Sequence, residues 1–317
     1  MSAITTTGLT KRYGDVTAIN GLDLVVEAGT VYGFLGPNGA GKSTVINCLM
    51  DYCRPTDGTI DVLGYNPQED ALAVRERTGV LPQGFDVYDR LTGRQHLQFI
   101  IDSMGAADDP EAIAERVGIL DAIDRPAGGY SRGMAQRLML GTALVGHPEL
   151  LILDEPSTGL DPEGAREMRK IAHEEADRGA TVFFSSHILG QVEAVCDRVG
   201  ILQDGRLIAE DTIEGLRATV TAETTITVTV DVLPSGALDA VRALSAVSSV
   251  QATETTVTVN CADGAKATVI HELEAAGATI KDFELTTASL EELFLSYTNS
   301  ESNPNTDAVQ SDEVVRL

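Results

Sequence analysis

Gly36-Pro37-Asn38-Gly39-Ala40-Gly41-Lys42-Ser43 is the stretch on which the reading of this chain turns. It matches G-x-x-x-x-G-K-[ST] without a gap. An apolar run, Val31 to Leu35, precedes it and predicts a strand; Thr44 to Met50 follows and predicts a helix. Strand, glycine-rich turn and helix in that order make a phosphate-binding loop. The glycines let the backbone curl until its N–H groups converge on phosphate oxygens, where a Cβ would intrude. The start of the helix adds a partial positive charge at the same spot. Lys42 is placed to reach the β- and γ-phosphates of a nucleoside triphosphate, and the Ser43 hydroxyl to ligate Mg2+. Gly36 through Thr44 is therefore the expected nucleotide cradle.

Further along, Leu150-Leu151-Ile152-Leu153-Asp154-Glu155 runs four apolar residues into two carboxylates. On a buried parallel strand this places the acids at the carboxyl end, where open α/β sheets bind ligands. Successive side chains on a strand point to opposite faces. Asp154 and Glu155 are accordingly given different tasks: Asp154 supports the Mg2+ shell, and Glu155 is the candidate general base for the attacking water.

Around these motifs the pattern sorts into layers. Ile4 to Ala28 alternates and reads as strands of an antiparallel sheet. From Thr30 onward apolar runs alternate with helical segments, which predicts strand-helix units and a mostly parallel sheet, with Thr181 to Phe184 as a further buried strand. A helical stretch is expected over about 86–125, carried by Arg94 to Met104 and Glu111 to Leu120, within a helical subdomain of about 86–130. Near residue 218 the composition shifts to Thr and Val. From there Ile226–Val232, Gly236–Leu244, a strand, Thr255–Asn260, Ala265–Ala276 and Thr279–Leu285 read strand, helix, strand, strand, helix, strand. That order suits a small ferredoxin-like α+β unit over 218–298. Residues 299–317 are polar, contain Pro304, and read as a disordered tail.

Between the phosphate loop and the Asp-Glu strand stands Tyr130-Ser131-Arg132-Gly133-Met134-Ala135-Gln136-Arg137. With that segment in place the chain resembles the ABC-type ATPases, whose signature commonly reads LSGGQ. Ser131, Gly133, Gln136 and Arg137 match; Tyr130, Arg132 and Met134 depart, and Arg132 stands where the first signature glycine would be. This YSxGM form is similar to the ATPases of ABC-2-type exporters for drugs, sodium and copper-related systems. The resemblance covers residues 3–217 and implies an α/β fold. In it a P-loop NTPase ABC ATPase domain has a mixed-sheet core, an antiparallel β subdomain and a helical subdomain, followed by the accessory unit. It extends to that unit through Ser289-Leu290-Glu291-Glu292-Leu293-Phe294.

The same resemblance implies further roles. Gln83 corresponds to the Q-loop glutamine near Mg2+ and water, Ser157 to Asp161 to the D-loop, and His187 to the switch histidine. Tyr13 corresponds to the aromatic residue that stacks on adenine, and Ser131 and Gly133 to γ-phosphate donors. It also implies a head-to-tail pair of copies, most simply a homodimer, in which the P-loop of one and the signature of the other enclose ATP. A separate transmembrane permease would turn that closure into transport. The other readings weighed are a soluble ABC-type ATPase of translation or DNA repair, and a GTPase or small-molecule kinase. Fused cassettes, zinc cysteines or a long coiled coil would mark the first, and the guanine-reading N-K-x-D would mark a GTPase; none is in the sequence.

Bulk composition bounds the rest. The 317 residues suffice for two domains, and 43% hydrophobic content is ordinary for a globular protein. No apolar run reaches a membrane span's length, and MSAITTTGLTKRYG lacks a secretory apolar stretch. The expectation is a cytoplasmic protein peripheral to the membrane through its permease alone. Cys48, Cys53, Cys196 and Cys261 lack C-x-x-C spacing, which argues against zinc and a disulfide framework. The 48 acidic and 23 basic residues, five of them lysines, give a net charge of −25. Such a surface repels nucleic acid. It also predicts a salt-loving host, because molar salt shortens the Debye length to about 3 Å and screens the self-repulsion.

Overall fold

The computed structural model describes residues 1–220, 224–234, 236–253 and 255–287. The expected tail over 299–317 and the Ser289 to Phe294 motif lie outside the described residues. The chain divides into two compact units, Met1–Leu216 and Arg217–Leu317.

In chain order the first unit begins β1 (Ser2–Tyr13), β2 (Val16–Glu27), β3 (Val31–Leu35), α1 (Lys42–Leu49), β4 (Asp57–Val62), α2 (Ala71–Arg75) and β5 (Thr78–Leu81). It continues α3 (Gly93–Met104), α4 (Pro110–Arg116), α5 (Arg132–Leu144), β6 (Leu150–Asp154), α6 (Pro162–Asp177) and β7 (Thr181–Ser186). Then come α7 (Leu189–Glu193), β8 (Arg198–Gln203), β9 (Arg206–Thr212) and α8 (Ile213–Val220), the last running across the division.

A six-stranded sheet has the order β5-β6-β7-β3-β8-β9, parallel from β5 through β8 with β9 antiparallel at its edge. Every residue of β3, β6 and β7 is buried. Parallel strands covered on both faces read as continuous apolar runs, and these three do. Phe183 of β7 stacks on Tyr32 at 5.9 Å between centroids and lies 5.1 Å from Phe34, tying β7 to β3. Burying such a ring contributes about 1.5–3 kcal/mol. A second sheet, antiparallel throughout, has the order β2-β1-β4. In β2 the buried residues Leu22, Leu24 and Val26 alternate with exposed ones, the period-2 pattern that half-burial demands.

The helical segment is shorter at its start than the expected 86–125. Residues 86–92 are not helical, and α3 opens only at Gly93. Thr92 sets that boundary through a capping box: its hydroxyl accepts from Gln95 N at 3.2 Å while Gln95 Oε1 accepts from Thr92 N at 2.9 Å. Gly105, at φ 62°, closes the helix, and Asp109 caps α4 ahead of Pro110.

The second unit runs β10 (Thr224–Val232), α9 (Ala237–Arg242), β11 (Val247–Ala252), β12 (Thr256–Cys261), α10 (Lys266–Ala275) and β13 (Thr279–Thr287). Its sheet order, β11-β12-β10-β13, is antiparallel throughout, the ferredoxin-like arrangement of these elements. Ile226, Val228, Val257 and Val259 share a face and pack with Val241, Val269 and Leu273 of the two helices. Among the described residues no helix is long and apolar enough to cross a membrane.

Candidate functional site

The phosphate loop leaves the carboxyl end of β3, between β7 and β8, and enters α1. Its glycines are required by geometry. Gly41 sits at φ 109°, and a Cβ there would lie 2.5 Å from Ala18 O; a Cβ on Gly36 would collide with Leu202 O. α1 has no side-chain N-cap and no acid in its first turn, so its leading N–H groups stay uncapped by the protein's own side chains. Two helices near the site are closed differently: Ser131 caps α5 by accepting from Met134 N, and Asp161 caps α6 by accepting from Gly164 N. Gly36 and Ala40 are buried, while Pro37, Asn38 and Gly39 are exposed; Ser43 and Thr44 are half-buried on the first turn of α1.

Lys42 is 6% exposed, and its Nζ donates to the carbonyls of Gly36 at 2.7 Å and Pro37 at 3.2 Å. The same Nζ lies 3.3 Å from Glu155 Oε1, and Glu155 is 4% exposed. Desolvation offsets most of the attraction between two charges this far from water, so the pair fixes an arrangement more than it stabilises the fold. Oε1 accepts no hydrogen bond among the described residues, whereas Oε2 is 2.8 Å from His187 Nδ1. An ionised carboxylate only accepts, so in this contact His187 Nδ1 is the donor, and the His187 side chain is half-exposed.

Strand alternation does not separate the two acids. β6 ends at Asp154, and Glu155 adopts φ 49°, a left-handed conformation unusual for a residue with a Cβ. Ser185 of β7 holds this turn. The Glu155 N–H reaches both Ser185 O at 3.2 Å and Ser185 Oγ at 3.1 Å, and the Ser185 hydroxyl donates to Asp154 Oδ1 at 2.5 Å. Ser185 was missed by sequence reasoning; the signal was a buried apolar strand turning to hydroxyls, Phe184-Ser185-Ser186, at its carboxyl end. Ser186 in turn accepts from Ile188 N and donates to Gln191 Oε1, fixing the backbone around His187.

Gln83 follows β5 and lines a cleft of about 600 Å³ together with Asp154, Glu155 and Arg132. Ser131 and Gly133 line a different cleft, of about 460 Å³, with Arg137 and Leu160. Arg132 borders both. Gln136 links signature helix to acidic turn, its buried Nε2 donating to Pro156 O at 2.9 Å. Tyr130, in place of the usual Leu, donates its hydroxyl to Ala122 O at 2.7 Å and so binds α5 to the preceding helical segment. Tyr13 stands half-exposed at the end of β1 with the Lys11 ammonium 4.8 Å from its ring centre. The neighbouring Cys53 thiol and then partial burial push its phenol up to about 12.

The arrangement thus joins a phosphate cradle, a buried lysine, two carboxylates and a histidine at one end of a parallel sheet. Comparison with known proteins agrees with that chemistry. Residues 19–158 match the family described as ABC transporter, and residues 212–298 match the ATP-binding protein DrrA1-3-like C-terminal domain. The chain is 35% identical to the daunorubicin resistance ATP-binding protein DrrA3 of Streptomyces coeruleorubidus, over 95% of this chain and 97% of that protein. It is 40% identical to the bacitracin transport ATP-binding protein BcrA of Bacillus licheniformis, over 68% of this chain and 71% of that one. A solved structure described as the ATP binding subunit of an ABC transporter superposes with a TM-score of 0.64 at 27% identity, covering 69% of this chain and 93% of its own. The chain belongs to the ABC transporter family, among the ATP-binding subunits whose ATPase activity drives transport.

Proposed function

We propose that two copies of this chain close head to tail around ATP and Mg2+, that Glu155 activates the attacking water, and that the cycle powers export through a separate permease. The observation that carries the chemistry is the Glu155 carboxylate: one oxygen is held by His187 and the other is buried beside Lys42 without a hydrogen bond. In this reading the free oxygen takes the proton of water as its oxygen attacks the γ-phosphorus and the bond to ADP breaks. Lys42 and the α1 N-terminus hold the phosphates, and His187 keeps Glu155 oriented. Ser43, Gln83 and Asp154 offer the hard oxygen donors that suit Mg2+, which when bound neutralises charge on the β- and γ-phosphates. Tyr13 stacks on the adenine.

The separation of the two clefts supports the pairing. Ser131 and Gly133 border a space other than the one lined by Asp154 and Glu155, as required if they serve the nucleotide of the second copy. Residues 1–217 form the ATPase in this reading, and 218–298 an accessory domain with no catalytic motif. The chain sits on the inner face of the membrane through the permease. Its charge of −25 supports work at high salt. A soluble ATPase of translation or repair is not favoured, since the relatives are named for resistance and transport. The export direction rests on that likeness. Reconstitution of this chain with its permease tests it: inside-out vesicles should accumulate substrate when ATP is supplied outside, with Glu155→Gln as the inactive control. Accumulation only in right-side-out vesicles loaded with ATP would make the system an importer.

A further inference from the structure

The P-loop helix carries a second chemical feature at its far end. α1 stops at Leu49, and Asp51 turns the chain with φ 51°. The N–H groups of Tyr52 and Cys53 then both return to Asn47 O, at 2.8 and 3.1 Å. This fold-back lays Cys53 on Cys48 with their sulfurs 3.4 Å apart. Cys48 is fully buried and Cys53 partly buried. Cys53 also neighbours Tyr13, whose phenol it pushes upward, and Lys11 stands over the Tyr13 ring. Two thiols in contact, one of them reachable from solvent, make a pair that can be oxidised without rearranging the fold. The sulfurs need to approach by little more than 1 Å to reach the roughly 2.05 Å of a disulfide.

We propose that Cys48 and Cys53 are a reversible oxidation site that closes to a disulfide when the protein meets a hydroperoxide, and that closure weakens ATP binding through Tyr13. The coupling rests on the proposed role of Tyr13 at the adenine; the disulfide does not. The Cys53 sulfur attacks the terminal peroxide oxygen, the O–O bond breaks, and the departing alkoxide takes the thiol proton as an alcohol. Cys53 is left as a sulfenic acid. The Cys48 sulfur then attacks the Cys53 sulfur, the S–O bond breaks, and hydroxide leaves with the Cys48 proton as water. Two thiols are oxidised and one peroxide is reduced. Burial, then the contact with Cys53, pushes the Cys48 thiol up to about 12 while the Lys11 ammonium draws it back. This suits Cys48 as the resolving partner instead of the first to react. Once the disulfide forms, Cys53 no longer offers Tyr13 a thiol and its sulfur is drawn toward α1. Tyr13 then loses the neighbour that orders its ring.

Treatment of the folded, full-length protein with hydrogen peroxide, followed by intact mass and peptide mapping, tests the first part. The expected result is a loss of about 2 Da per chain and a linked peptide joining Cys48 to Cys53, both reversed by dithiothreitol. Absence of that linked peptide overturns the proposal. In Cys48→Ser the same oxidant should leave a sulfenic acid on Cys53 that dimedone traps. A fluorescent ATP analogue tests the second part. The oxidised protein should bind about 2- to 10-fold more weakly, the worth of one aromatic stacking contact, with affinity restored on reduction and no shift in Cys53→Ser. Equal affinity in fully cross-linked protein overturns the coupling. Tyr13→Leu separates the two readings: if it binds the analogue like wild type, the adenine assignment and the coupling fall together, while the disulfide stands or falls on the mass data.

Discussion

Replacing Glu155 by Gln removes one charge at the centre of the site and little else. The amide carbonyl can still accept from His187 Nδ1, now 2.8 Å from the carboxylate, and the side chain keeps its volume in a pocket where Glu155 is 4% exposed. Two electrostatic consequences follow from the distances. Lys42 Nζ, 3.3 Å from Oε1, is attracted by roughly 5 kcal/mol gross at an effective dielectric near 20, most of it offset by desolvation. Without that partner the ammonium is available in full to the phosphates, so ATP affinity should hold or rise. Water, however, loses its proton acceptor. A positioned base is worth about 10²- to 10⁴-fold, or about 3–5.5 kcal/mol of barrier. Phosphate release at high salt, with Mg2+ and saturating ATP, should fall by that factor. The protein should then collect as an ATP-bound pair of doubled mass on size exclusion. Wild-type turnover in Glu155→Gln would refute the assignment and leave attack assisted by the substrate's own phosphate as the better account. Asp154→Asn is the contrast: it disturbs the 2.5 Å bond from Ser185 and the metal donor set, so it should raise the Mg2+ requirement instead of trapping ATP.

Lys42→Ala should abolish tight ATP binding, measured by equilibrium titration, because it removes the buried cation held between Gly36 O, Pro37 O and Glu155; normal affinity would show the phosphate cradle to be misassigned. With a net charge of −25, the melting temperature should climb steeply from dilute buffer to molar KCl, and a flat profile would remove the case for a high-salt host. Burial pushes the thiols of Cys48 and Cys196 upward, Cys48 to about 12. Unfolded thiols ionise near 8.5, so above that the unfolded chain binds fewer protons than the folded one, and stability should fall as pH rises from about 9 toward 12. Cys48→Ala should flatten part of that slope in chemical denaturation; an identical slope would deny the buried thiol its role.

Much of this protein was legible because its local chemistry is under local constraint. Gly36 to Ser43 needs no distant information: backbone that must curl around phosphate excludes side chains, and the next residues must begin a helix. Val31–Leu35, Leu150–Leu153 and Thr181–Phe184 could be read as buried strands because strands covered on both faces are dominated by apolar side chains. The alternation across 225–285 likewise sufficed for the order of the second unit. Other features depend on partners far along the chain. Nothing near Glu155 shows that it turns left-handed, since the turn is held by Ser185, thirty residues away in the bond to Glu155 N. The start of α3 at Gly93 is set by the Thr92–Gln95 bonds, a local hydrogen-bond pattern that an outer bound drawn at 86 from the apolar spacing of Arg94 to Met104 did not use. The meeting of Lys42, Glu155 and His187 belongs to the strand order β6-β7-β3, which sets three carboxyl ends side by side. Their identity was fixed by sequence, but their contact was decided by which strands pair, and pairing is chosen by the burial of whole faces that no single motif encodes.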